Sequence, residues 1–273
     1  YLRVFVLTDP PSSWFNDATY LDTMNPEAVE QFITATHETY AREVGGQFGK
    51  SVPAIFTDEP NYLHTLGHQI KPWTRKLPER YQAQYGENLL DRLPELFFTF
   101  GEDFSAPRYR YYRLATELFV TSFARTIGDW CERHHLALTG HVLREDTLSQ
   151  QVHSVGAAMP FYEFMQMPGI DLLTEHWMIF NTVKQMVSVA RQLGKKRTLT
   201  ETYGCTGWDF PFAGHKALGD WQYLMGLNFH CQHLYWYSMS GEAKRDYPAS
   251  IGEQSPWFQK YPLVEDYLSR LGT

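Results

Sequence analysis

A short run of β-branched and apolar residues, then a turn, then a stretch with helical spacing recurs along this chain, and that alternation limits its folds more than any other feature. The runs are Val52 to Thr57, the segment LALTGHV that ends near His141, Gly169 to Thr174, Arg197 to Thr200 and Gln232 to Ser238. Helical segments separate them: one opens at Pro107 with Tyr111, Leu114, Leu118, Phe119, Ile127, Trp130 and Cys131 inward, another spans Asn181 to Leu193 before Gly194, and a third His215 to Phe229. Strands joined through helices are parallel, their crossovers are right-handed, and their ligands bind beyond the carboxyl ends of the strands. A further strand is expected at Tyr1 to Thr8, a helix from the Asn25 cap and Pro26 with Val29, Phe32, Ile33, Thr36 and Tyr40 on one face, and a closing helix near Leu263. A chain of 273 residues without an evident linker suits one large α/β domain spanning positions 1–273.

Charge and composition narrow the partners. A net charge of -7 lacks the basic surplus that neutralises phosphates, so nucleic acid is not expected. No apolar run reaches the roughly 18 residues of a membrane span. Cys131, Cys205 and Cys231 are odd in number, widely spaced and free of any CxxC pattern, which fits a reducing, cytoplasmic compartment. Aromatic residues make up 16%, more than a barrel core of aliphatic side chains needs, so some rings are expected to line a site, although surplus rings also serve simply as packing. No sequence feature sets an oligomeric state.

Two strand ends carry the chemistry. Thr57-Asp58-Glu59-Pro60 terminates a buried apolar strand in two carboxylates, and Thr200-Glu201-Thr202-Tyr203-Gly204 repeats the pattern with one. Glycosidic cleavage needs a proton on the leaving oxygen, and a carboxylic acid partly removed from water holds its proton toward neutral pH. Glu59 is the expected acid and Glu201 the expected nucleophile or base. Asp58 is expected to hold the sugar. The alternatives are an acidic pair at a helix start for the first and a solvated loop acid for the second.

Other groups are expected on the same rim: His141, Glu175, His176, Trp177, Tyr203 and Trp236, with Tyr235 and Tyr237 beside the last; the loop rings Trp14 and Trp208 are expected to pack. His141 and His176 would bond substrate or a carboxylate, unless they are satisfied core histidines, and Trp236 would stack on a sugar ring unless it packs in the core. Glu175 is the substitute should Glu201 not serve. A metallohydrolase using Asp58, Glu59, His141, His176 and Glu201 is a rival, without HxH or HExxH spacing to support it, and so is an inactive carbohydrate-binding barrel. No metal site is assigned and no cofactor is expected.

The runs Tyr20 to Ile33 and Phe48 to Pro60, with Thr139-Gly140-His141 and Thr200 to Gly204, resemble a group of bacterial glycosyl hydrolases related to the α-L-rhamnosidases and, more remotely, to the β-galactosidase clan. The resemblance implies a (β/α)8 TIM barrel acting on a carbohydrate substrate. It implies the acid at strand 4 and the second carboxylate at strand 7, hence Glu59 and Glu201, with the first three strands mostly upstream of Tyr1. The clan has Asn before its acid, where this chain has Asp58. The rhamnosidase relatives imply inversion and sometimes calcium, the clan retention.

Overall fold

The computed structural model describes residues 2–63, 69–101, 104–236, 238, 240, 249 and 251–272. The chain divides into two compact units, one of residues 1–53, 60–136 and 148–157, the other of residues 54–59, 137–147 and 158–273.

The first unit is helical. Asn25 caps α1 (Pro26–Phe32) by accepting from the Glu27 amide at 3.1 Å, with Pro26 opening the first turn where its missing N–H costs nothing. A wide π turn over Ile33–His37 leads into α2 (Glu38–Val44). The extra residue of that turn rotates the succeeding helix about its axis, so Val29, Ile33 and His37 are buried while Tyr40, expected inward, faces solvent. The stretch from Asn61 to Ala106 carries α3 (Leu77–Tyr85) and α4 (Leu89–Phe97). Then α5 (Ala106–Phe119), a π turn at Val120–Arg125 and α6 (Thr126–Arg133) bury all seven side chains expected inward, from Tyr111 to Cys131. The Trp130 indole donates to Glu38 Oε1 at 2.7 Å, and α7 (Leu148–Ser154) closes the unit. Leu2 to Thr8 is not a strand: it is exposed, with Leu7 at 81%, and has no ladder partner among the described residues. Alternation alone does not make a strand without a neighbour to pair with.

The second unit holds the strands. β1 (Ala54–Thr57) runs parallel to β2 (Ala137–Gly140), and β3 (Gly169–Asp171), β4 (Leu199–Thr202) and β5 (Phe229–Gln232) form a second parallel ladder in chain order. β2 and β3 are close: Met167 N–H donates to the Leu138 carbonyl at 3.1 Å. Gly140, with φ at +113°, is required where β2 meets β1, because a Cβ there would lie 2.0 Å from the Thr57 carbonyl oxygen. Helices α8 (Met159–Tyr162), α9 (Phe180–Gln192), α10 (Phe212–Met225) and α11 (Pro262–Leu271) complete this unit.

Several boundaries differ from expectation: β4 runs Leu199–Thr202 rather than Arg197 to Thr200, which puts Glu201 inside it, α10 starts at Phe212 rather than His215, and two further strand ends move more. β3 stops at Asp171 rather than Thr174. The last strand is Phe229–Gln232 rather than Gln232 to Ser238, because Gly226 in a left-handed conformation ends α10 early and Phe229 registers with Leu199.

Candidate active site

Five carboxyl groups of the second unit gather around one histidine. His141 follows Gly140 at the end of β2, where its amide donates to the Thr57 carbonyl at 3.1 Å and Phe56 packs edge-on against its ring. The ring is 1% exposed. Its Nε2 donates to Glu201 Oε2 at 2.7 Å and lies 3.4 Å from Asp58 Oδ1. A ring nitrogen of His141 and carboxylate oxygens of Glu59 and Asp171 also all lie within 4.8 Å of one another.

Strand register explains the convergence. Thr57 pairs with Gly140 and Asp171 with Glu201, so Asp58, Glu59, His141, Asp171 and Glu201 all lie within two residues of the carboxyl ends of four parallel strands. Glu59 takes φ of +48° just before Pro60, a backbone conformation that costs a non-glycine residue on the order of 1 kcal/mol and is found mainly where function over-determines it.

Electrostatics follow from burial. Removal from water works against a charge on His141, but the hydrogen bond to Glu201 and the negative charges of Asp171, Glu145 and Glu201 outweigh it and raise the imidazole to about 9. Burial pushes Glu145 up to about 8 and Asp171 up to about 7, each moderated by His141. Glu59 is raised too, first by desolvation and then by Asp58 and Glu201, against the opposing His141 and Arg144. Glu59 as a whole residue is exposed, yet its carboxyl sits beside two largely buried groups, so the desolvation is local to the functional atoms.

A cavity of about 250 Å³ opens beside this cluster, lined by Glu59, Arg144, Glu145, Asp171, Trp177 and Ile179 among others. Trp177 is half exposed, so one face of its indole is available to an apolar ligand surface.

Asp171, Glu145 and Arg144 were not expected. Asp171 had a local signal, a carboxylate inside the apolar run Ile170-Asp171-Leu172-Leu173; placing the strand end three residues late assigned its role to Glu175. Glu145 had none. It is buried because Tyr162 donates its hydroxyl to Oε2 and Asp171 its amide to Oε1, each at 2.6 Å, contacts that only tertiary structure supplies.

Several expected rim residues lie elsewhere. The His176 side chain is 82% exposed and 3.7 Å from Glu175 Oε1, and neither residue lines the cavity. Tyr203 is fully buried among Phe210, Leu218, Tyr261 and Leu268, its hydroxyl donating to the His215 carbonyl at 3.1 Å, because a left-handed φ of +69° follows the strand and turns it inward. Trp236 is buried against Trp208 with ring centroids 4.4 Å apart, a packing pair and not a platform. Tyr237 and the Trp14 side chain lie outside the described residues.

Asp58–His141–Glu201 and Glu59–His141–Asp171 each have the spacing of a metal trio. Calcium takes oxygen ligands, whereas each trio includes the His141 imidazole, whose Nε2 is already bonded to Glu201. No described helix is long and apolar enough to cross a membrane.

No protein-family profile matches the chain, and no curated protein matches it. Among solved structures it is similar to a rhamnosidase from Novosphingobium sp. PP1Y, with a TM-score of 0.72 and 20% identity over 93% of this chain and 25% of that one. The chain thus spans about a quarter of that rhamnosidase's length. At this identity the likeness establishes a shared fold over nearly the whole of the present chain.

Proposed function

We propose that the chain carries the catalytic site of a glycoside hydrolase, and that its five parallel strands are the later strands of a (β/α)8 barrel. The strands follow one another in parallel, the ionisable groups sit together at their carboxyl ends as in barrel enzymes, and the related fold occurs in a rhamnosidase. The observation that carries the functional reading is Glu59: a desolvated carboxyl, raised in pKa, on the wall of a cavity that an indole also lines.

In this reading Glu59, its pKa raised by burial, delivers a proton to the glycosidic oxygen as the bond breaks. Positive charge then develops on the sugar ring. Glu201, held by His141 at 2.7 Å just beyond the residues that line the cavity, is in this reading the second carboxylate that answers that charge as base or nucleophile. Exposed Asp58 offers an acceptor to a sugar hydroxyl. The C–H face of the ring stacks on Trp177. The cavity lies near the lower end of ligand-site volumes, which favours one sugar ring at the cleavage point and hence exo action on a terminal residue.

The test is turnover of a panel of aryl glycosides that includes the α-L-rhamnoside, by wild-type protein and Glu59→Gln. Hydrolysis of at least one glycoside by the wild type, reduced about 10²- to 10⁴-fold by the substitution, is expected. Hydrolysis that survives Glu59→Gln unchanged removes Glu59 from the mechanism.

A further inference from the structure

Among the carboxyl groups around His141, Glu59 and Asp171 stand in a special relation. Both line the cavity, and their carboxylate oxygens lie within 4.8 Å of each other. Glu201 and Asp58 are not in the cavity wall. Glu145 is, but both its oxygens are occupied, by the Tyr162 hydroxyl and the Asp171 amide. That amide contact fixes the backbone of Asp171 while leaving its carboxyl to the site. Asp171 Oδ1 is buried and has no hydrogen-bond partner among the described residues. A buried carboxylate oxygen without a donor is costly; the His141 ring and the Glu59 carboxyl both lie within 4.8 Å of this carboxyl group, and of these Glu59 shares the cavity wall, where one proton held between the two carboxyls would remove both the missing donor and the like-charge repulsion.

We propose that Asp171 and Glu59 form a carboxyl pair that shares a single proton across the cavity, Asp171 being the positioning residue that keeps this proton available to Glu59. The consequence for catalysis rests on the reading of Glu59 as the acid; the pairing itself does not. The charges facing the pair come from every neighbouring strand end: His141, Arg144, Asp58 and Glu201 act on Glu59, and His141, Glu201 and Asp58 on Asp171, with Glu145 alongside. Burial raises both carboxyls, Asp171 to about 7, which places the shared proton in the neutral range. Such a pair titrates in two steps that belong to both residues together.

The experiment is a titration of the side-chain carboxyl carbons of the whole chain by 13C NMR, without substrate, in wild type, Asp171→Asn and Glu59→Gln. Removing either charge should lower the titration of the remaining carboxyl by about one to two pH units, and by the same amount in the two variants, since coupling is reciprocal. A Glu59 titration unmoved in Asp171→Asn overturns the proposal. If that variant does not fold, Glu59→Gln at an exposed position still reads the coupling through Asp171, and an unmoved Asp171 overturns it equally. On a hydrolysed aryl glycoside, the alkaline limb of kcat/KM should move down in Asp171→Asn by the same interval, which a merely structural role would not do. Coupled titrations together with no turnover of any glycoside would sink the glycosidase reading and leave the pair standing.

Discussion

Two clusters in the strand-bearing unit use the same residue types to opposite ends. Around His141, acids at the ends of β1, β3 and β4 meet a ring with carboxylate partners, which raise its pKa. Around His230, on β5, the neighbours are Tyr203 and Tyr223, neither ring nitrogen has a partner among the described residues, and burial drives the imidazole down to about 3. His215, packed against Tyr203, Phe210 and Tyr261, is lowered as well. A histidine beside a strand end is therefore not a site by position; it becomes one where the adjoining strand ends supply counter-charge.

Substitution should separate the clusters sharply. His141→Ala leaves Glu201, Asp171 and Glu145 without the imidazole and should cost about 3–5 kcal/mol in denaturant unfolding at neutral pH. His230→Leu replaces an unpartnered neutral ring with an apolar group and should stay within about 1 kcal/mol of wild type. Equal losses would erase the distinction between the two clusters.

The pH dependence sharpens it. Glu145 and His141 both have folded-state pKa values above their ordinary ones, so the stability they contribute is full below those ordinary values and is lost as pH rises through about 8 and about 9. Melting temperature should fall between about pH 5 and about pH 9, by an amount corresponding to a few kcal/mol. Glu145→Gln keeps an acceptor for Tyr162 and should flatten the part of that fall that lies below about pH 8; a curve as steep as wild type would mean that Glu145 is already ionised at neutral pH. A small effect is also expected of Tyr203→Phe, which loses one hydrogen bond to the His215 carbonyl, about 0.5–1.5 kcal/mol by thermal unfolding, with glycoside turnover intact.

Periodicity was legible where a residue's environment is set by its own element. The inward face from Tyr111 to Cys131, the Asn25 cap and the strand delivering Asp58 and Glu59 all emerged from local pattern. What was not legible depends on partners. Leu2 to Thr8 alternates like a strand yet has nothing to pair with among the described residues, and the π turn at Ile33–His37 exchanges Tyr40 for His37 with no local marker. In the site, Glu59, Glu201, Asp58 and His141 were found because each lies within or just beyond a strand end. Asp171 was lost to a boundary error of three residues, Tyr203 was misplaced by a single left-handed φ, and Glu145 depends on Tyr162 and Asp171 from elsewhere in the chain.

The most direct measurement is kcat/KM of wild type and Glu59→Gln on one series of aryl glycosides whose leaving groups grow steadily poorer, beginning with aryl α-L-rhamnosides. With Glu59 as the acid, the variant should approach wild type on the best leaving group and fall behind progressively, toward about 10²- to 10⁴-fold, as the departing oxygen needs its proton more. A constant ratio across the series, or no difference at all, would contradict proton delivery by Glu59.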